Sequence, residues 1–448
     1  MKKLWLFLLS LGLIMAFSVS AFAVDVKVTG EYYAAGLYLS ELDVKDDPAA
    51  TKDLSTAFFY QRLRVGTDFI VSPGLKLVTR FDAMERIWGG DRSIVNNGTL
   101  APDSAGTREE NENIAVDWVY INYVSPIGTF DVGMMNDGST GTIFGNSYAP
   151  AGRIKYSYTI APFTINAAYT KMKDQSYSAV NDQSSYPTNF TDGDNDKYGL
   201  EGVYTWKDGK AGLNINYYNK AEHRPDPVGY RQTYFLFTPY AMAKIGPVSL
   251  QAELNYATGE LKDMEDGMPP PDVDIESWSG WVDATATFAP VYVGATVAYV
   301  SGDDPDSTDK NEGALDGGRD WNPCLIMFNY YDTSYWVGSI SGYDGSVVNG
   351  GMKNAWFFQG RVGVKPVPQL DVMMSVSYAV ADEKPTYYAD DTYGTEIDLT
   401  GTYKITNNLS YMLGIGYLFT GDYFKGDDSL GTDIDDNYMV VNKLTLTF

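Results

Sequence analysis

The chain has 448 residues, with 58 acidic and 33 basic side chains, a formal net charge of −25, and a single cysteine and histidine. So acidic a chain is not expected to bind nucleic acid, because phosphate binding needs a basic surface. One cysteine excludes an intramolecular disulfide, and there is no C-x-x-C-H segment to attach a c-type haem.

The first 23 residues have the pattern of a secretory signal peptide. Lys2 and Lys3 precede an apolar run over residues 4–17, and residues 21–23 (AFA) form a small-x-small cleavage site. Removing the two lysines leaves 31 basic and 58 acidic residues, a net charge of −27. After the signal, no apolar run reaches the roughly 20 residues that a membrane-spanning helix needs.

Residues 24–448 alternate between polar and apolar side chains, which predicts β-strands throughout. In one of them Leu413, Ile415 and Tyr417 share a face opposite Gly414 and Gly416. The 35 tyrosines and 44 glycines also suit strands and turns better than helices. The predicted strands are 25–40, 55–71, 75–87, 113–124, 129–135, 153–160, 163–172, 196–206, 211–220, 232–244, 248–259, 275–288, 291–302, 355–365, 370–383, 393–405, 409–421 and 437–448.

Short turns alternate with long, polar, acidic connections between these strands. Short turns at one rim and long loops at the other are typical of an outer-membrane barrel. An even count of about eighteen strands, with sixteen as the alternative, puts both chain ends at the short-turn rim. A soluble sandwich has the same alternation, so the choice of a transmembrane antiparallel β-barrel depends on the signal peptide, the two loop classes and the terminal aromatic Phe448.

The connection after the fifth strand, residues 136–152, is less charged than the other long connections and contains four glycines. We expect it to fold inward as a constriction loop, with Ile143 and Phe144 against the inner wall. An exposed loop with a small apolar tip is the alternative.

If apolar residues face lipid, the opposite parity lines a pore. Cations facing lipid at mid-membrane depth cost about 2–4 kcal/mol each, which favours the lumen for the basic residues. The candidate pore-lining and constriction residues are Arg62, Arg64, Arg80, Asp82, Arg86, Asp137, Arg153 and Lys155. The basic members are expected to form a lumenal patch opposite Asp137. Alternatively, or in addition, lumenal pairs such as Arg80 with Asp82 neutralise one another.

No catalytic, cofactor or metal site is expected. His223 lies in a connection with no Ser motif around it, and no His/Cys cluster suits a transition metal. Cys324 is interpreted as an unpaired small apolar residue. The acidic connections are interpreted as a solvated rim; loose binding of divalent ions that bridge to lipopolysaccharide is the alternative.

The order of elements resembles the trimeric porins of Gram-negative outer membranes over essentially all of residues 24–448. Residues 79–89 (TRFDAMERIWG), 317–323 (GGRDWNP) and 413–424 (LGIGYLFTGDYF) are similar to porins of sulfate- and metal-reducing bacteria. The resemblance implies a homotrimer in outer-membrane lipid, inserted by the barrel-insertion machinery. It also implies that residues 136–152 are the constriction loop, facing Arg62, Arg64, Arg80 and Arg153 as an arginine ladder.

These observations predict a diffusion porin, a passive channel for small hydrophilic solutes and ions. A barrel sheath that holds two cytochromes together for electron transfer is the main rival, and it needs a wide lumen without an inward loop. An enzymatic barrel that uses His223 is a third possibility.

Overall fold

The structure is a computed structural model that describes residues 24–46, 54–89, 114–138, 141–174, 193–224, 229–264, 271–314 and 318–448. The predicted signal peptide, residues 1–23, lies outside the described residues. Eighteen long strands form the wall. They are β1 (Asp25–Leu39), β2 (Thr56–Ser72), β3 (Leu75–Ile87), β4 (Ile114–Ser125), β5 (Gly128–Asn136), β6 (Pro150–Ile160), β7 (Phe163–Lys173), β8 (Asn195–Trp206), β9 (Gly209–Lys220), β10 (Tyr230–Ile245), β11 (Val248–Met264), β12 (Val273–Phe288), β13 (Val291–Val300), β14 (Ala355–Val367), β15 (Leu370–Ala381), β16 (Thr392–Lys404), β17 (Leu409–Thr420) and β18 (Asn437–Thr447).

The strands pair in chain order and close into a barrel. Each is antiparallel to the next, and β18 returns to β1, where Leu37 lies opposite Val441. On its other side β1 pairs with β2, with Leu37 opposite Phe58. A closed sheet has no edge, so its backbone groups are paired without water. The predicted antiparallel β-barrel is therefore confirmed with eighteen strands rather than sixteen, and each predicted strand overlaps one observed strand.

The two kinds of predicted connection are both present. At one rim, turns of two to four residues join β2 to β3, β4 to β5 and so on to β17. Gly74 and Gly246 occupy such turns with φ of +79° and +59°, which a residue without a Cβ adopts without strain. The longer connections lie at the other rim, and the longest joins β13 to β14.

The outer face of the wall is apolar. On β17, Leu413 and Ile415 are 45% and 48% exposed, whereas Leu418, of the opposite parity, is fully buried. On β9, Leu213 is exposed while its neighbour Asn214 faces inward and is buried. This is the reverse of a soluble sandwich, whose apolar rows pack inside. An outward apolar band of this kind fits hydrocarbon.

An apolar core also lies inside the barrel, on one part of the wall. It is formed by residues 318–352 of the connection from β13 to β14, which we call the inner plug. Trp336 of the plug packs on Tyr60 of β2 with ring centroids 4.7 Å apart, and Phe328 packs on Phe357 of β14. No pattern in the sequence of this connection predicted that it folds into the lumen as a plug.

The smaller elements belong to the connections. They are a π-helix (Tyr330–Ser334), 3-10 helices (Tyr343–Gly345, Asp422–Lys425 and Asp428–Leu430), and two-residue strands (Lys45–Asp46, Asp433–Ile434 and Lys310–Asn311). Asn329 caps the π-helix by accepting a hydrogen bond from the backbone N–H of Asp332. Among the described residues, no helix has the length and apolarity to cross a membrane.

A charge placed on the outer face tests the orientation of the wall. Ile121 of β4 is 50% exposed on the outer face, and its neighbour Asn122 faces the lumen beside Asp131. We expect Ile121→Arg to lower the free energy of unfolding in lipid vesicles by about 2–4 kcal/mol near the bilayer midplane. Asn122→Arg is the matched control, because its charge meets water and a carboxylate. Equal losses for both variants would contradict the orientation.

Candidate functional site

The connection from β5 to β6 reaches across the lumen. We call residues 137–149 the crossing loop; the structure describes it at 137–138 and 141–149. The loop is held by the carboxylate of Glu253 on β11, which is buried, faces the lumen and accepts hydrogen bonds from the loop. Thr142 donates its backbone N–H at 2.5 Å and its hydroxyl at 2.8 Å to Oε2, and the backbone N–H of Gly145 donates to Oε1 at 3.0 Å. Because β11 lies five strands beyond β6, these contacts hold the loop away from its own part of the wall.

An aromatic cluster holds the far side of the crossing loop. Phe144 is buried, stacks on Trp281 of β12 at 5.7 Å and meets the edge of Trp321 in the inner plug at 5.2 Å. The indole N–H of Trp281 donates to the Thr142 hydroxyl at 2.8 Å. Of the two apolar residues predicted to anchor this loop, Phe144 is buried against the wall, whereas Ile143 is 46% exposed.

The crossing loop also contacts the inner plug directly. The side chain of Asn146 donates to the Asp320 carboxylate at 2.8 Å, and the backbone N–H of Tyr148 donates to the same carboxylate at 3.3 Å. The two segments therefore form one layer of chain across part of the lumen.

The near end of the crossing loop is held by ion pairs. Asp137 lies 3.1 Å from Arg153 and 2.6 Å from Lys197, and it accepts a hydrogen bond from the Thr170 hydroxyl at 2.9 Å. Asp137 thus neutralises cations of β6 and β8 rather than facing the arginines of β2 and β3. Lys155 faces the lumen on β6, and no carboxylate among the described residues lies within ion-pair distance of it.

A second group of predicted site residues lies on β2 and β3. Arg64 makes a bidentate pair with Asp82, at 2.7 and 2.6 Å, and Arg80 donates to Asp117 of β4 at 3.0 Å. Arg62 lies 3.7 Å from Glu85 and 3.8 Å from Glu31 of β1. The three arginines, which we call the arginine cluster, therefore face four nearby carboxylates. The sequence suggested a lumenal basic patch, neutralising ion pairs, or both. In the structure the three guanidinium groups lie together in the lumen and also pair with carboxylates.

The crossing loop touches this cluster through Tyr148. The guanidinium of Arg80 lies 3.7 Å from the centroid of the Trp118 ring and 4.4 Å from that of Tyr148. Burial raises the pKa of the Tyr148 phenol to about 12, although Arg80 beside it acts in the opposite direction. The ring therefore remains a neutral phenol against the cation.

Two details differ from the sequence analysis. Asp82 pairs with Arg64 and not with Arg80, because Arg64 and Asp82 are direct neighbours across two strands whereas Arg80 and Asp82 are successive on one face of a single strand. Arg86 does not continue the row of Arg80: Met84 has φ of +54° at a register shift, which puts Arg86 opposite Gln61 on the other face. Glu85 takes the inward position instead.

The inner plug is docked by a buried carboxylate. Glu396 of β16 has no exposed surface, and its two oxygens accept hydrogen bonds at 2.7 Å from the backbone N–H groups of Ile326 and Met327. Gly416 on β17 permits this close approach, because a Cβ there would lie 3.1 Å from Leu325 and 2.7 Å from the Asp398 carboxylate.

Cys324 completes this cluster. The Cys324 Sγ atom and a carboxylate oxygen from each of Glu396 and Asp398 lie within 4.8 Å of one another. Because both oxygens of Glu396 already accept backbone N–H groups, the cluster acts as a dock for the plug. Burial raises the pKa of the Cys324 thiol well above its usual range, and the neighbouring carboxylates raise it further. The thiol is therefore neutral, as expected for a small apolar residue.

Sequence reasoning missed the anchors of both inward segments. The sequence shows only that these anchors occupy strand positions that face the lumen. They are Glu253, Trp281 and Glu396. Their partners are more than a hundred residues away for the crossing loop and about seventy for the plug, so no local pattern pairs them.

No protein-family model matches the chain, and no curated protein matches it. Among solved structures, the chain is similar to OccK1 (OpdK) of Pseudomonas aeruginosa, with 14% identity, coverage of 94% of this chain and 99% of the other, and a TM-score of 0.51. OccK9 (OpdG) of the same organism gives 14% identity, 95% and 99% coverage, and a TM-score of 0.51. The outer membrane channel DcaP of Acinetobacter baumannii gives 13% identity, coverage of 96% of this chain and 99% of the other, and a TM-score of 0.43.

At these identities the matches with TM-scores of 0.51 show the fold, that of Gram-negative outer-membrane porins with eighteen strands. Together with the apolar outer face of the wall, this fold makes the chain a multi-pass β-barrel of the outer membrane.

Releasing the crossing loop is expected to widen the lumen. Hydrogen bonds to a charged group contribute about 1.5–3 kcal/mol each, and Glu253→Ala removes three of them. We expect a larger single-channel conductance in planar bilayers. Glu260→Ala, an exposed carboxylate on the same strand, is the matched control. Conductance that is unchanged in Glu253→Ala would contradict the anchoring role.

Cys324, the only cysteine of the chain, reports on docking of the plug. Glu396→Ala removes the two hydrogen bonds that this side chain accepts from backbone N–H groups of the plug, so the undocked state gains population. We expect a maleimide to label Cys324 at least about tenfold faster than in the unmodified protein, measured by mass spectrometry of the folded barrel in detergent. Glu383→Ala, in an exposed connection, should leave the rate unchanged. Equal rates for Glu396→Ala and the unmodified protein would contradict the docking role.

Proposed function

We propose that the chain is a passive outer-membrane channel for small hydrophilic solutes and ions, and that it carries out no reaction. One observation carries this proposal: Glu253 holds the crossing loop across the lumen of a closed barrel. A water-filled barrel becomes a sieve when a segment of chain narrows it. The crossing loop is the proposed constriction, and residues 318–352 narrow the lumen further on the side of β14 to β18, β1 and β2.

The arginine cluster is the proposed charge filter. Arg62, Arg64 and Arg80 lie beside the end of the crossing loop that leads into β6, where Tyr148 contacts two of them. Four carboxylates lie near these three guanidinium groups, those of Glu31, Asp82, Glu85 and Asp117, so the local field depends on each member. Fixed charges of both signs across a narrow passage orient and select charged solutes.

The crossing loop favours a channel over the rival sheath. A sheath for two cytochromes needs an open lumen, whereas the crossing loop and the inner plug occupy part of this one and are held by buried carboxylates. An enzymatic barrel has less support. His223 stacks on Tyr230, with ring centroids 4.6 Å apart, which gives its ring a packing role.

Further parts of the proposal come from the sequence. They are cleavage of a signal peptide after residue 23, assembly as a homotrimer, insertion by the barrel-insertion machinery, and contact of the long-loop rim with lipopolysaccharide. Kinship with porins of sulfate- and metal-reducing bacteria belongs with them, on residues 79–89, 317–323 and 413–424.

Removing two arginines tests the charge filter. Arg62→Ala combined with Arg64→Ala leaves Glu31, Asp82, Glu85 and Asp117 facing Arg80 alone, so the lumen becomes more negative at this level. We expect the reversal potential in a salt gradient across a planar bilayer to shift toward cation selectivity.

The matched control removes two positive charges from the short-turn rim. Lys207→Ala with Lys404→Ala changes the net charge equally, and both lysines are exposed. Its selectivity should stay within the error of the unmodified channel. A reversal potential that does not move in the arginine variant would remove the filter while leaving the channel; absence of any ion conductance in the unmodified protein would remove the channel itself.

A further inference from the structure

The part of the wall opposite the arginine cluster has a hollow beneath the crossing loop. It is lined by inward residues of β6 to β12 and has a volume of about 220 Å³. Strand register arranges these residues in three rows, each crossing several strands at one height. The row nearest the long loops contains Arg153, Thr170, Lys197, Tyr218 and Tyr234.

The middle row creates the space. It contains Ala168, Gly199, Asn216, Leu236, Ala257 and Ser277. Most of these side chains are small, so the wall recedes here between two rows of larger groups. The surface they leave is mostly apolar, with one amide, that of Asn216, at its centre.

The third row supplies short polar groups. It contains Asn166, Glu201, Asn214, Thr238, Asn255 and Ser279. The Thr238 hydroxyl donates to Asn255 at 2.8 Å, and the Asn166 amide donates to Glu201 at 2.6 Å. Amides and hydroxyls both donate and accept, so this row offers both kinds of partner side by side.

The charges around the hollow are mostly paired internally. Asp137 is neutralised by Arg153 and Lys197, and Glu201 accepts hydrogen bonds from Asn166 and from the Tyr240 hydroxyl at 2.7 Å. Lys155 lies at the edge of the hollow as a cation outside these pairs, and the other polar partners that remain toward the cavity are chiefly neutral.

The geometry points to a binding site for a neutral, polyhydroxylated solute of monosaccharide size. Such a solute has hydroxyl groups around its edge, which match the amides of Asn214 and Asn216 and the hydroxyls of Ser277 and Ser279. Its C–H face matches the small apolar residues of the middle row. The site lies apart from the arginine cluster, since β4 and β5 separate β3 from β6. This inference rests on the proposed channel function.

The rival ligand for the same hollow is a small anion. Lys155 stands at the end of the middle row, opposite Ala168, and an ammonium group donates to a carboxylate as readily as to a hydroxyl. A neutral sugar uses the two polar rows whether or not Lys155 is charged, whereas an anion depends on that charge.

Block of ion current in planar bilayers distinguishes these possibilities. D-glucose is added to the full-length channel, and the concentration that halves the conductance is compared with that for D-glucuronate. Asn214→Leu with Asn216→Leu replaces two amides by apolar groups of similar length. Ser277→Val with Ser279→Val replaces two hydroxyls of β12 by apolar groups. Gln251→Leu, on the inward parity of β11 but nearer the short turns, is the matched control.

We expect D-glucose to block the unmodified channel, and either double variant to raise its half-blocking concentration about tenfold. Gln251→Leu should leave that concentration unchanged, and normal ion conductance in every variant confirms that the barrels fold. No block by D-glucose, or block in both double variants at the same concentration as in the unmodified channel, would overturn the inference while leaving the channel. Block by D-glucuronate alone, lost in Lys155→Ala, would overturn it in favour of an anion site. A protein without ion conductance would instead refute the proposed function.

Discussion

Closure of the sheet is the constraint on which the rest of the structure depends. In a closed barrel every wall residue faces either outward or into the lumen, and hydrocarbon admits few charges outward. Most charged and amide side chains of the strands therefore share the lumen, where they need partners. The cross-strand pair of Arg64 with Asp82, and the pairing of Asp137 with Arg153 and Lys197, follow from this confinement.

Confinement also explains how two connections are held inside. A buried carboxylate is costly unless it accepts strong hydrogen bonds, and backbone N–H groups of an incoming segment supply them. Glu253 receives such donors from the crossing loop, and Glu396 receives them from the inner plug. Each carboxylate thereby fixes a segment that has little regular structure of its own. The result is a lumen with the arginine cluster on one side and a neutral polar hollow on the other.

The wall was predictable from the sequence because its signals are local. Apolar and polar residues alternate with a period of two, and short turns interrupt this alternation. The pattern located all eighteen strands, with predicted ends that differ from the observed ends by a few residues. The face of Arg86 was not predictable, because the positive φ of Met84 reverses the alternation there. The inner plug was also missed. Its apolar residues, such as Ile326 and Trp336, follow no helix or strand period, and their partners on β2 and β16 are distant in the chain.

The central claim, that apolar residues face outward to lipid and polar residues inward to water, is tested most directly by spin labels along β9. Cysteines are introduced singly in a Cys324→Ser background, and collision of each label with oxygen and with a water-soluble nickel chelate is measured in lipid vesicles. The account predicts oxygen access at Leu213, Ile215 and Tyr217, and nickel access at Gly212, Asn214 and Asn216. Equal access at both parities, or the reverse alternation, would contradict it.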